Sequence, residues 1–476
     1  MLPQRIVVLD IVILLMGLLF VWNELSPPLY AASTDSPATQ PAEPSQKMIL
    51  NTGYQLWLAD AKGENLEQVA TESDEILRVL LSPDNEHVAY VVDRDTKERF
   101  RGLELRLLSL TNHTAQTITP LQPTKPVGTL SEGEHADAEH ATRAVLEENR
   151  DGIVWSPSGS KLAFVSEHER SKAQLYVYDL AKGKLTRLSD EASHAYQFVW
   201  SPDERWIFHT GTSHFSGNEP YQDPVGVWVS RTDGSEQRAL YSVAAESSDE
   251  RLVAWLDRET VLVYSATMKC GNSKLRTINI KTGKSVLITN RSFSTVALDA
   301  ESGVALVHVE PELRCNPANF VGTYLWKPGQ RVLRQISKKE LPWPSDQPWH
   351  PGWHLVGEDH IDWMSPTGEL LPGDPTPPFC LLDFGRNGYA WTVTLATKGV
   401  IGTWVKPYGG SPERIADRAH ILQWSADGAV LYFVDQNGTD LYAAAAPSYQ
   451  PHLLGQTPPV RTLHQAGSPA AYPGCG

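Results

Sequence analysis

One short pattern recurs along the chain: a Trp-Ser-Pro-Asp/Ser-Gly turn followed by an apolar run. Trp155-Ser156-Pro157-Ser158-Gly159 leads into Leu162-Ala163-Phe164-Val165, and Trp200-Ser201-Pro202-Asp203 into Trp206-Ile207-Phe208. Trp424-Ser425-Ala426-Asp427-Gly428 leads into Val430-Leu431-Tyr432-Phe433, and Leu81-Ser82-Pro83-Asp84 into Val88-Ala89-Tyr90-Val91. A repeated supersecondary unit constrains the fold more than any single residue does, because each copy buries its apolar surface only against its neighbours.

Each copy reads as strand, tight turn, strand. Pro sets φ in the turn, Asp bonds nearby backbone, and Gly accepts positive φ. The run that follows has the β-branched and aromatic character of a strand. In the clearest copy a second half follows: Gln174–Asp179 as a strand, Ala181-Lys182-Gly183 as a turn, Lys184–Leu188 as another strand. Four strands per unit is the content of one propeller blade. Weaker copies begin at Trp255, Leu298 and Leu382. The intervals Trp155–Trp200, Trp255–Leu298 and Leu382–Trp424 are 45, 43 and 42 residues, the period of a four-stranded blade.

Longer intervals mark insertions at 120–149, 212–224 and 338–378. The interval from Leu298 to Leu382 is 84 residues, about two periods. It holds either a degenerate blade or a large loop, and its Pro-dense composition favours the loop. Residues 48–70 supply three strands, Met48–Asn51, Tyr54–Ala59 and Leu66–Val69; Val460–Leu463 is expected to supply the fourth. Such closure removes open sheet edges. The expected fold is all-β, a single propeller of four-stranded antiparallel blades, eight in number, with seven as the alternative.

The Trp-Ser-Pro-Asp-Gly turn and the strand after it resemble the TolB-like, WD-repeat-like propeller family over about residues 49–456. The resemblance implies fold and says little about function. It covers only the propeller half of TolB, since the leader passes almost directly into a strand. Related propellers stand beside serine-hydrolase domains in prolyl-oligopeptidase-like enzymes, but no Gly-x-Ser-x-Gly elbow occurs here. Gly211-Thr212-Ser213-His214-Phe215 lacks the second Gly. Oligogalacturonate lyases resemble this class too, with metal-binding histidines; no motif here matches theirs residue by residue.

Residues 1–32 read as a signal peptide or an N-terminal membrane anchor. Arg5 precedes the apolar run Ile11–Trp22. Its twelve residues suit a signal-peptide core, and extension to Ile6 gives seventeen, near the minimum for a spanning helix. Ala31-Ala32-Ser33 is a loose cleavage site, and both readings stay open. Residues 33–46 read as a disordered linker, 47–466 as the propeller and 467–476 as a tail. Either reading places the propeller outside the cytoplasm, exported to the periplasm or beyond, with membrane contact through the leader alone.

The formal net charge is −15 without a basic cluster, which argues against a nucleic-acid partner. There are four cysteines. Cys270 and Cys315 fall at equivalent places in consecutive blades and are expected to form a disulfide, which suits an oxidising compartment. Cys380 and Cys475 form a weaker pair, and no zinc-ligand spacing occurs.

The most unusual composition is Trp343–Trp363, where Trp343, Trp349 and Trp353 interleave with His350, His354 and His360. Aromatic platforms bind sugar or peptide faces, so these six are the candidate ligand-binding residues. A shared helical face for His350 and His354 is blocked by Pro351 and Gly352. No metal site, catalytic set or cofactor is therefore assigned. A second insertion carries His135, Asp137, Glu139 and His140, with a solvated acidic helix as its plain reading. The third carries His214, Phe215, Tyr221 and Asp223. The functional expectation is a non-catalytic, monomeric scaffold binding an envelope protein, peptide or glycan. The alternative is a polysaccharide lyase or glycosidase acting at 343–363, with Glu358 and Asp362 as candidate carboxylates.

Overall fold

Both faces of a blade are buried, which explains why the strands read as continuous apolar runs rather than as alternation. In the strand Lys161–Ser166, Leu162 and Phe164 pack with Ala89, Val91 and Leu105 of the preceding sheet. The intervening Ala163 and Val165 pack with Phe198, Trp200 and Ile207 of the following one. Period-two alternation thus divides one strand between two interfaces.

The computed structural model describes residues 47–465 apart from connecting segments; the larger omissions are 95–101, 122–151, 213–224, 267–273, 299–304, 310–321, 336–352, 372–381 and 394–400. Among the described residues every regular element is a strand and no helix occurs. They form eight four-stranded antiparallel sheets and one three-stranded sheet. The strands run consecutively from Glu75 to Pro120 in blade 2, Ile153 to Arg187 in blade 3 and His194 to Val243 in blade 4. Blade 5 spans Asp249–Thr289, blade 6 Thr295–Gln335, blade 7 Leu382–Ala416 and blade 8 Ala419–Gln456. The fold is a β-propeller.

Blade 1 closes the ring. Its strands Glu67–Thr71, Gln55–Asp60 and Lys47–Asn51 come from the start of the described chain, and Thr462–Gln465 completes the sheet. The register pairs Met48 with Gln465 and Leu50 with Leu463. The closing strand lies two residues beyond the expected Val460–Leu463. Blade 8 meets blade 1 through Tyr432 and Val434 against Met48, Leu50 and Leu463. Blade 1 meets blade 2 through Ile49, Leu56 and Leu58 against Val88 and Tyr90.

The segment 338–378, read as an insertion, contains the three-stranded sheet: Trp353–Val356, Ile361–Met364 and Leu370–Leu371. A partial blade is the other reading of an interval of two periods. The other long intervals leave from strand ends as expected, between Pro120 and Ile153 and between Thr212 and Val225.

The repeated Ser has a fixed task. Ser82, Ser156, Ser201 and Ser425 are buried, and the amide of each donates to the carbonyl five residues on, at 2.7–2.9 Å. The amide of that same later residue donates back to the Ser Oγ, at 2.9–3.1 Å. The third residue after Ser takes positive φ: Asn85, Gly159, Glu204 and Gly428. Glu204 tolerates this left-handed backbone because its carboxylate accepts from the Ser158 amide and, at 3.1 Å, the Ser160 hydroxyl of blade 3.

The repeated Trp ties blade to blade. The Trp155 Nε1–H donates to the Leu80 carbonyl at 3.1 Å, Trp200 to Val154 at 3.3 Å, and Trp255 to Val199 at 3.0 Å. Each acceptor precedes the equivalent position of the blade before: Leu81, Trp155, Trp200. Trp424 breaks the series. It is equally buried and packs edge-on against Tyr449, but its Nε1 has no hydrogen-bond partner. Trp200→Phe is therefore expected to lower stability by about 1–2 kcal/mol more than Trp424→Phe, because only the first leaves a buried carbonyl without its donor. Denaturant midpoints of the two variants check this, and equal losses would refute a role for the indole bond.

Candidate functional site

Antiparallel blades have two chemically distinct ends. The Ser-Pro turns, and the hairpins between third and fourth strands, lie at one end. The links between second and third strands, and those between blades, lie at the other. Both the 120–149 and 212–224 excursions depart from this second end, the loop end, since they follow a fourth and a second strand respectively.

The loop end of blades 3 and 4 carries an unusual density of buried polar groups. Gln174, His194, Thr210 and Thr212 are buried there, and His209 and Ser230, farther along the same strands toward the turn end, are buried too. Buried polar groups cost stability unless paired, so this layer is built from reciprocal bonds. The Ser189 hydroxyl donates to Gln174 Oε1 at 2.9 Å, and Gln174 Nε2 donates to the Ser193 carbonyl at 2.9 Å. The Ala173 amide donates to His194 Nδ1 at 3.0 Å. These bonds fasten the link between the two blades.

His209 sits at the centre of this layer, 1 % exposed. Its Nε2 lies 2.9 Å from Ser230 Oγ, and the Ser230 hydroxyl is committed to the Leu188 carbonyl at 3.1 Å. Nε2 therefore carries the proton, leaving Nδ1 as a buried acceptor with no partner among the described residues. A void of about 10 Å³ adjoins it, lined by Ser189, Ser193, Gly211 and Trp228. The half-buried Trp228 indole stacks on the His209 ring at 5.8 Å and 13°. It lies over Gly226, where a Cβ would come 1.9 Å from the ring, so only glycine fits there. This Trp-on-His platform stands where the 212–224 excursion leaves and returns.

Blade 2 presents an ion network at the same end. Buried Glu72 accepts from Arg106 Nη1 at 2.7 and 2.8 Å, from Arg94 Nη2 at 3.1 Å and from the Tyr90 hydroxyl at 2.7 Å. Arg94 also bridges to Asp74 at 2.8 Å. Burial, and then the Glu72 bond and charge, push the Tyr90 phenol well above its ordinary range. The network holds the Glu72–Asp74 link against blade 2, with its charges paired among its own members.

Of the residues expected to bind ligand, Trp353 and His354 lie on the first strand of the three-stranded sheet, paired with Met364 and Trp363. Trp343, Trp349, His350 and His360 fall outside the described residues, as do Cys270, Cys315, Cys380 and Cys475. Among the described residues, one acidic grouping has metal-ligand proximity: Asp84, Glu86 and His87, exposed or half-buried on the Ser82 turn. Asp84 Oδ1 is already engaged by the Ser82 hydroxyl and the Glu86 amide there. Sequence reasoning missed His209 and Trp228, which are 19 residues apart and meet only through strand pairing. The adjacent Gly226 was the available signal, a glycine inside a strand marking a close approach. It also missed the half-buried Trp391–Trp404 stack of blade 7, centroids 6.3 Å apart.

No family model matches the chain. The uncharacterized peptidase YuxL of Bacillus subtilis is 39 % identical over 56 residues, 12 % of this chain and 8 % of that protein. A solved structure of a eukaryotic initiation factor matches at a TM-score of 0.51 with 12 % identity, covering 90 % of this chain and 100 % of that one. TolB from Acinetobacter baumannii matches at 0.30 and 15 %, covering 60 % and 62 %. The propeller of the Trilobed protease from Pyrococcus furiosus matches at 0.40 and 13 %, covering 80 % and 97 %. The chain is similar to these in fold, and TolB propellers are among the structures it resembles.

Two histidines make the fold sensitive to acid. Burial pushes His209 from 6.5 down to about 3. His464 on the closing strand accepts from the Leu81 amide at 3.0 Å; desolvation, and then the Arg78 charge, push it down to about 4. Both stay neutral in the folded chain, so protonation favours unfolding. The stability they hold is complete above pH 6.5 and is lost as pH falls from there toward about 4 for His464 and about 3 for His209. Each contributes a slope of at most about 1.4 kcal/mol per pH unit in that window. His464→Asn, which keeps an acceptor for Leu81, is expected to flatten the decline between about pH 6.5 and pH 4.5. Denaturant midpoints across that range measure it, and an unchanged slope would refute the assignment.

Proposed function

We propose that the protein is a non-catalytic binding scaffold held at, or released from, the outer face of a membrane. It engages an envelope protein, peptide or glycan through the loop end of the propeller. One observation carries this reading. Two of the three stretches that the blade period does not require leave the same end. That end of blades 3 and 4 also carries the buried polar layer and the Trp228–His209 platform. A rigid ring that carries variable connections on one end is suited to recognition, because the scaffold holds the loops in position at little entropic cost. The leader 1–32, with its apolar run Ile11–Trp22, supplies the export signal and the only membrane contact in this reading.

The test is capture of partners from a solubilised envelope fraction by the full chain. A parallel capture uses a variant in which residues 213–224 are replaced by a Gly-Ser linker of equal length. The proposal expects a specific partner with the native chain and at least about a tenfold loss with the variant, at unchanged melting temperature. Equal capture by both would remove this excursion from the site. Hydrolysis or elimination products from envelope polysaccharide, formed by the native chain alone, would favour the enzyme reading at 343–363. Intact-mass measurement of the exported chain reads out whether the leader is removed.

A further inference from the structure

At the turn end, away from the proposed loop-end site, blades 3 and 4 separate to leave a cleft of about 310 Å³. Its charge opposes that of the chain. Five cations line it, Lys161, Lys182, Lys184, Arg205 and Arg231, against two carboxylates, Asp179 and Asp233. The whole sequence has 41 Lys and Arg against 56 Asp and Glu. We propose that this cleft binds a small polyanion of the phosphate class.

The strand register explains why the cations collect. Lys161 pairs with Asp179, and Asp179 with Lys184, so the three form one cross-strand row at the end of blade 3. The next row on the same face, Ala163, Val177 and Thr186, includes the apolar residues that pack on blade 4. The interface therefore changes from apolar to charged over two residues of each strand, and the blades part there. Blade 4 answers with Arg205, Arg231 and Thr232 from its own turns.

Three of the five cations are balanced: Lys182 by Asp179 at 2.7 Å, Arg205 by Asp203 at 2.8 Å and Arg231 by Asp233 at 3.6 Å. Lys161 donates to the Glu204 carbonyl at 3.3 Å, and Lys184 is exposed. Among the described residues, no carboxylate lies within ion-pair distance of either. Arg231 is further held with its guanidinium 5.2 Å from the Trp206 ring centre, which fixes its plane. A preset guanidinium facing two ammonium groups across a recess matches an anion with several oxygens, because charge-assisted bonds to such oxygens are short and strong. The recess walls also concentrate the field that the acidic surface elsewhere would cancel.

The probe is inorganic pyrophosphate, titrated calorimetrically into the full chain at low ionic strength. One-site binding is expected, weakened at least about tenfold by Lys184→Glu and again by Lys184→Ala. Lys284→Glu, on an exposed hairpin of blade 5, is expected to change nothing. Added salt should weaken binding, as screening requires. Melting temperatures of the variants show that each has folded. Absence of binding at millimolar pyrophosphate would overturn the proposal, as would binding that Lys184→Ala leaves intact. A hexaglutamate peptide that binds through Lys184 while pyrophosphate does not would overturn it in favour of an acidic-peptide site.

Discussion

The propeller depends on one interaction made several times over: an indole N–H from the end of a blade's first strand, donated to a backbone carbonyl of the preceding blade. Sheet-to-sheet packing by itself is non-directional, and apolar faces slide at little cost. A donor of fixed reach between Trp155 and Leu80, Trp200 and Val154, and Trp255 and Val199 sets the stagger of each blade on the last. The buried Ser156 and Ser201 beside Trp155 and Trp200 hold the turns that aim those indoles, and after Trp255 the Leu256 amide bonds the Thr260 carbonyl at 2.9 Å instead. Closure then rests on Met48–Asn51 pairing with Thr462–Gln465, and on His464 receiving the Leu81 amide.

With the blades staggered this way, the two ends of the ring acquire opposite characters. At the loop end many polar side chains are buried, some of them bonded to one another as Gln174 and Ser189 are, and the Glu72 network pairs its charges internally. At the turn end, charged side chains stay at the surface and some cations lack carboxylate partners. Both follow from the same geometry. The interior of each interface is apolar, so polar groups are displaced to its two margins.

The repeat, the blade period and the closure were legible in the sequence. Each follows from local rules: turn chemistry around Ser-Pro, β-branched runs, and an interval set by the length of four strands. The closing strand was displaced by two residues because Val460–Leu463 and Thr462–Gln465 are equally plausible as short strands, and only pairing with Met48 selects one. The three-stranded sheet within 353–371 falls where the sequence left a degenerate blade or a large loop open, with its prolines and short strands favouring the loop. The Trp343–Trp363 composition drew attention by density, whereas Trp228 and His209, each unremarkable alone, form a platform through cross-strand register.

The sequence by itself determined that this chain builds a ring of blades, since a unit that cannot bury its own faces must stack on copies of itself. Tertiary structure alone decided that two long intervals leave from one end, that His209 is buried neutral against Trp228, and that Lys161, Lys184 and Arg231 line one cleft in an acidic protein. Those outcomes depend on register and stagger between strands far apart in the chain, and no local pattern of residues encodes a distance between two sheets.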